Sequence, residues 1–179
     1  MSIISALAIS IGVLGGVATW LFLGPLAGGL QIWAAFIAWA CFFHCGGKEA
    51  GLKATILANL AGAIMAWLTL LAVTRGGLGA SLGLPLWAGI CVGVGVLVMI
   101  LLANLPAFAA IPALVYGFAA VAAFTLLTTD GVANLTVANL ANPLVTIILS
   151  MIAGAVLGYV SEKLAGALVA DKGPARRAA

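Results

Sequence analysis

Charge is nearly absent from this chain of 179 residues: seven Lys and Arg and four Asp and Glu side chains make up only 6% of it. A soluble domain carries roughly a quarter charged residues, so this set is too small to coat a folded surface in water. That excludes a soluble enzyme, a nucleic-acid binder and a disordered tail together. Ionisable groups are also missing where chemistry would need them, because Glu49, Asp130, Glu162 and Asp171 fall in loops, at a helix end or in the tail. No Ser-His-Asp set, phosphate-cradling loop or carboxylate pair can be assembled, so no enzymatic activity is expected. The three cysteines, Cys41, Cys45 and Cys91, lie in or beside apolar segments, and no disulfide framework is indicated.

Apolar sequence fills the space that charge leaves. Hydrophobic residues make up 65% of the chain, with 23 glycines among the rest. This composition fits an all-α polytopic membrane protein. The net charge of +3 gives no reason to expect nucleic acid, since the basic residues sit in loops and the tail. A spanning helix needs about 20 mostly apolar residues, and six runs approach that length. They cover about residues 3–23, 30–43, 52–73, 84–103, 105–127 and 137–160. The second is short for a full span. The first has no leading Lys or Arg and reads as a retained span rather than a signal peptide.

Six spans put both termini on one side, with Lys48, Lys53, Lys163, Lys172, Arg176 and Arg177. The other side holds only Arg75 and Asp130. The positive-inside rule then makes both termini cytoplasmic in a bacterial inner membrane. A single transmembrane domain is expected over residues 1–164, followed by a cytoplasmic tail at 165–179. Gly12-x-x-x-Gly16 has a counterpart in Gly89-x-x-x-Gly93, and Leu57-Ala58-Asn59 resembles Leu140-Ala141-Asn142. These matches raise a duplication, with halves at 1–78 and 79–164. Three helices per half would invert one half relative to the other.

Amides are the most informative polar groups. Asn59, Asn104 and Asn142 fall within or at the ends of spans. A buried amide left unsatisfied costs several kcal/mol on apolar transfer scales, on the order of 4–8 for water to cyclohexane. Each should therefore bond to another helix or line a wet cavity. On the second reading Asn59 and Asn142 sit at matching depths and point at a shared pathway for an uncharged solute. Pro106 and Pro112 in the fifth run, and Pro143 in the sixth, would free backbone carbonyls towards that cavity. Tyr116, one turn past Pro112, would add its hydroxyl. Trp39 belongs to an aromatic stripe with Trp33, Phe36, Phe42 and Phe43 that would set the bore, and His44 would gate it near neutral pH. Cys41-x-x-His44-Cys45 is the one soft-ligand cluster, but it lacks a fourth ligand, and no metal or cofactor is expected.

Several segments carry a family resemblance: Trp33-Ala34-Ala35-Phe36-Ile37-Ala38-Trp39 followed by Gly46-Gly47, then Gly51-Leu52-Lys53. Leu105-Pro106-Ala107-Phe108 and Ala153-Gly154-Ala155-Val156-Leu157-Gly158-Tyr159 come later. In these the chain resembles the small bacterial inner-membrane proteins of the YcdZ type, a family without an established function. The resemblance implies a polytopic inner-membrane protein and no catalytic residues. Small size and absence of embedded charge are also similar in kind to urea and amide channels.

The expectation is a channel or facilitative transporter for a small uncharged polar solute such as urea, a short amide or ammonia. Six short helices enclose little volume, so a homo-oligomer is expected, with a trimer favoured. The alternatives are a non-transporting membrane subunit or assembly partner, which would associate through the Gly12/Gly16 and Gly154/Gly158 faces, and an ion-coupled secondary transporter.

Overall fold

The computed structural model describes residues 1–170, and among these every regular element is helical. Seven α-helices follow one another: α1 Ile3–Leu23, α2 Ile32–His44, α3 Lys48–Arg75, α4 Gly79–Leu82, α5 Leu84–Leu101, α6 Ile111–Leu127 and α7 Pro143–Ala170. Short 3-10 turns cover Leu102–Asn104, Pro106–Phe108 and Ala133–Thr136. Local chemistry explains the boundaries. Ser2 caps α1 by accepting from the Ser5 amide at 3.1 Å, and Gly24-Pro25 ends it. Gly46 and Gly47 turn the chain between α2 and α3 at φ of +88° and +67°, where a side chain would be strained.

Four helices are long and apolar enough to cross a membrane: Ile3–Leu23, Lys48–Arg75, Leu84–Asn104 and Pro143–Val169. The helices at Ile32–His44 and Ile111–Leu127 are apolar but shorter. At 1.5 Å per residue α2 is about 20 Å long, against a hydrocarbon thickness of about 30 Å. The fifth run departs most from its expected bounds, because Pro106 lies in a 3-10 turn and the helix opens only at Ile111. The sixth begins at Pro143 rather than at Val137, after a connection of turns. At its far end α7 continues through residues 165–170, the first part of the expected tail. Residues 171–179, with Lys172, Arg176 and Arg177, lie outside the described residues.

Small residues form the interior. Ala34, Ala35, Ala38, Ala58, Ala63 and Ala113 are fully buried, whereas Ile4, Trp20, Leu97 and Leu127 point outward. An apolar exterior around a core of small side chains is the pattern of helices packed in lipid. The closest crossings use glycine. A Cβ at Gly62 would collide with the Leu114 carbonyl, one at Gly117 with the Asn59 backbone, and one at Gly154 with the Ala35 carbonyl. Backbones therefore meet directly where α3 crosses α6 and where α2 crosses α7.

The pairings have an order. The most extensive are α3 with α6 and α2 with α7; α1 leans on α7, α5 leans on α3, and α3 crosses α7 at the centre. Exchanging α1 with α5, α2 with α6 and α3 with α7 leaves this set of pairings unchanged. Helices α3 and α7 run antiparallel: the Lys48 amide opening α3 bonds Glu162 late in α7, while Trp67 bonds the Leu135 carbonyl just before α7 starts. The short α2 runs parallel to α7, with the Gln31 amide on Ser150 and the Trp39 indole on Ser161.

Candidate functional site

The side chains singled out in the sequence separate. Asn59 lies in the centre, His44 and Tyr116 meet at the exposed end of α2, Trp39 is buried between α2 and α7, and the remainder stand at helix ends or in connections.

Asn142 precedes α7 and caps it. Its Oδ1 accepts from the Leu144 amide at 2.9 Å, and its Nδ2 donates to the carbonyls of Leu135 at 3.2 Å and Val137 at 2.8 Å. Both amide hydrogens and one oxygen lone pair are thereby committed within the chain. Pro143 is the first residue of α7, where no intrahelical N–H is needed, so Asn-Pro here is a helix start and not a break. Pro112 occupies the first turn of α6 for the same reason. Pro106 opens the 3-10 turn between α5 and α6. None of the three prolines frees a carbonyl inside a span. Asn104 is exposed and donates to the Leu101 carbonyl at 2.9 Å, closing the end of α5.

The aromatic stripe of α2 does not line a bore. Trp39 is buried against α7, donates to Ser161 Oγ at 3.0 Å and stacks on Phe36. Phe42 is buried against Gly158, while Trp33 and Phe36 face outward. His44 is exposed at the end of α2, with its Nδ1 3.2 Å from the Tyr116 hydroxyl. The fold thus brings together the expected gate residue and the expected hydroxyl. Among the described residues no three His, Cys, Asp or Glu side chains converge as a metal site.

Asn59 stands apart. It is 97% buried, counting from its 3% exposure, and its Nδ2 has no hydrogen-bond partner. Its Oδ1 faces the Cys41 thiol of α2 at 3.8 Å, a weak contact. One turn earlier on α3, the fully buried Thr55 hydroxyl is also without a partner. Cys41, itself fully buried, has Cys45 Sγ 3.9 Å away. A buried donor left unmade costs about 1–3 kcal/mol, and such groups are uncommon in folded proteins. Two of them on one face of one helix mark this as the place where the fold departs from satisfied packing.

A cavity of about 10 Å³ adjoins Asn59 where α3 crosses α7. It is lined by Ile56, Asn59 and Leu60 of α3 and by Ile148, Met151 and Ile152 of α7. The wall therefore repeats one spacing on both helices, with Asn59 opposed by Met151. Asn142 lies nine residues before Met151, immediately ahead of α7, about 13 Å away at the helical rise. Asn59 and Asn142 are thus not at matching depth, and Asn142 is not among the residues lining this cavity. Thr55 and Met151 were not singled out in the sequence; Thr55-x-x-x-Asn59, two polar residues one turn apart in an apolar run, is the signal that points to this face.

A family model described as a protein of unknown function (DUF1097) matches residues 8–166. No curated protein and no solved structure matches the chain.

Proposed function

We propose, for a chain that belongs to the DUF1097 family of proteins of unknown function, a role as a membrane facilitator for a small uncharged polar solute. The observation that carries this reading is the buried, unpartnered amide of Asn59 beside a cavity at the α3–α7 crossing. Pure helix-packing glue would have its hydrogen bonds made. An amide held without a partner is available to a transient one, and it both donates and accepts. The Thr55 hydroxyl, one turn away, extends the same polar face.

The architecture we infer is six membrane crossings in two inverted halves. Ile56-Leu57 and Ala61-Gly62-Ala63 of α3 recur as Ile148-Leu149 and Ala153-Gly154-Ala155 of α7 at the same spacing. Ile11, Val13, Gly16 and Val17 of α1 recur likewise as Ile90, Val92, Gly95 and Val96 of α5. In this register Asn59 corresponds to Met151, not to Asn142, and Gly16 corresponds to Gly95. The exchange-symmetric pairings and the antiparallel α3 and α7 support the same reading. The cavity then lies on the axis relating the halves, where transporter folds of this design hold their solutes. The two short helices travel inside the bundle beside long partners, so they can cross without spanning a full bilayer alone. Both termini are assigned to the cytoplasmic side of a bacterial inner membrane on the balance of basic residues, with no enzymatic role.

The cavity admits no more than one water-sized group, so the conformation is occluded rather than an open pore. Stopped-flow measurements on liposomes holding the purified chain test the reading. Flux of at least one small neutral solute should exceed that of protein-free vesicles and fall to their level in Asn59→Leu. No flux for any such solute with folded protein overturns it.

A second reading has one observation in its favour. A Cβ at Gly12 or Gly16 on α1 would meet nothing within 4 Å, and both border an open groove of about 750 Å³ that Trp20, Leu23 and Phe36 also line. A membrane partner or further copies of the chain would dock there. Co-purification of a fixed partner, without flux, favours it.

A further inference from the structure

We infer that the solute taken by the Asn59 cavity is ammonia, in its neutral form, rather than urea, a short amide or water. This rests on the facilitator reading and deepens it.

Size is the first argument. About 10 Å³ of free space is the room one water-sized group needs. Urea and acetamide carry four non-hydrogen atoms. The walls are bulky: Ile56, Leu60, Ile148, Met151 and Ile152. Widening them means moving α3 from α7, and both helices are held from behind. Gly62 and Gly117 seat α3 against the backbone of α6, and Gly154 seats α7 against that of α2. Contacts of backbone on backbone leave no flexible side chain to give way.

Hydrogen bonding is the second argument. Asn59 Nδ2 is an unpartnered donor, and the rest of the wall is aliphatic or thioether. The group it lacks is an acceptor. Ammonia offers one strong lone pair to that donor, and its N–H groups are weak donors that lose little when left unpaired. Water would take the same bond but leave strong O–H donors facing aliphatic carbon, at the larger burial cost. The charged form is excluded because no carboxylate lines the cavity, and an ammonium in that surrounding would be unpaired. Protons balance outside the site. Ammonium releases one to the outer water, ammonia crosses, and one is taken up from the inner water, so the lumen becomes alkaline.

The test uses the full chain in vesicles of a tightly packed lipid, with an entrapped pH dye. Addition of ammonium chloride should raise the internal pH severalfold faster than in protein-free vesicles. Urea, acetamide and water rates, read by light scattering, should match protein-free vesicles. Asn59→Leu, verified as folded by circular dichroism and gel filtration, should return the ammonia rate to the lipid baseline. Met151→Ala enlarges the cavity without touching the amide and should let urea follow. Urea or water moving as fast as ammonia in the unmodified chain overturns the assignment to ammonia and leaves the facilitator reading standing. No enhanced flux of any solute overturns both.

Discussion

Asn59 and Met151 face one small cavity from opposite helices, each at the middle position of an i, i+3, i+4 set of wall residues. One contributes an unbonded amide and the other a thioether, so the site is polar on one side only. A site built for stability alone would place an aliphatic residue at both positions.

Replacing Asn59 by Leu should therefore stabilise the protein. Removing a buried donor without a partner recovers about 1 kcal/mol, even after loss of the weak contact with Cys41. Thermal or denaturant unfolding in detergent checks this. A clear loss of stability would identify the amide as interhelical glue and count against its solute role.

Asn142 should behave in the opposite way. Its side chain makes three hydrogen bonds that start α7 and fasten the preceding turn. Asn142→Ala should cost about 1–2 kcal/mol, as for loss of a helix N-cap, while solute flux through folded protein stays unchanged. A flux defect in folded Asn142→Ala would return that residue to the pathway.

Glycine substitutions should divide by position. Gly62→Ala and Gly117→Ala drive a methyl group into a backbone and should destabilise by about 1–3 kcal/mol or more. Gly12→Ala has open space and should stay within about 0.5 kcal/mol in the monomer. Should Gly12→Ala instead change the size of the particle on gel filtration, the α1 groove is an interface between copies.

The turn into α3 gives a further expectation. Lys48 holds φ at +57°, and its amide donates to Glu162 Oε2 at 2.8 Å, so a carboxylate from α7 caps the positive end of α3. A Cβ at Gly47 would come within 2.5 Å of the same carboxylate. Gly47→Ala should expel Glu162 and lower the unfolding temperature, whereas Lys48→Gly should raise stability by up to about 1 kcal/mol by relieving the left-handed backbone. Equal stability of all three proteins would mean that the cap contributes nothing.

Hydrophobic run length carried much of the fold in the sequence. Residues 3–23 form a helix with the bounds expected of them, and Gly24-Pro25 ends it. Proline and asparagine were harder to read. The pair Asn142-Pro143 is a cap followed by a first-turn proline, yet inside an apolar run it looks the same as a helix break. Pro106 and Pro112 raise the same ambiguity, because apolar 3-10 turns do not differ in composition from helix. The site was half legible. Asn59 stands out as an amide in an apolar run, but whether its bonds are made depends on which faces α2 and α7 present. In the register proposed above, Leu57-Ala58-Asn59 and Leu140-Ala141-Asn142 are not counterparts, since the connection at 128–142 is far longer than that at 45–47. The placing of Ile56 and Leu60 opposite Ile148 and Ile152 supports that register.

The way the halves interlock has a consequence for assembly. Each of the two most extensive pairings, α3 with α6 and α2 with α7, takes one helix from before the Gly76–Gly83 connection and one from after it. Neither half keeps its main partners if the chain is cut there. Two fragments produced separately should be degraded, and co-expressed they should reassemble into one particle, as a pull-down through a tag on either fragment would detect. During synthesis, then, the main partners of α2 and α3 emerge after them: α3 gains α5 and α6 first, and α2 waits until α7 is made.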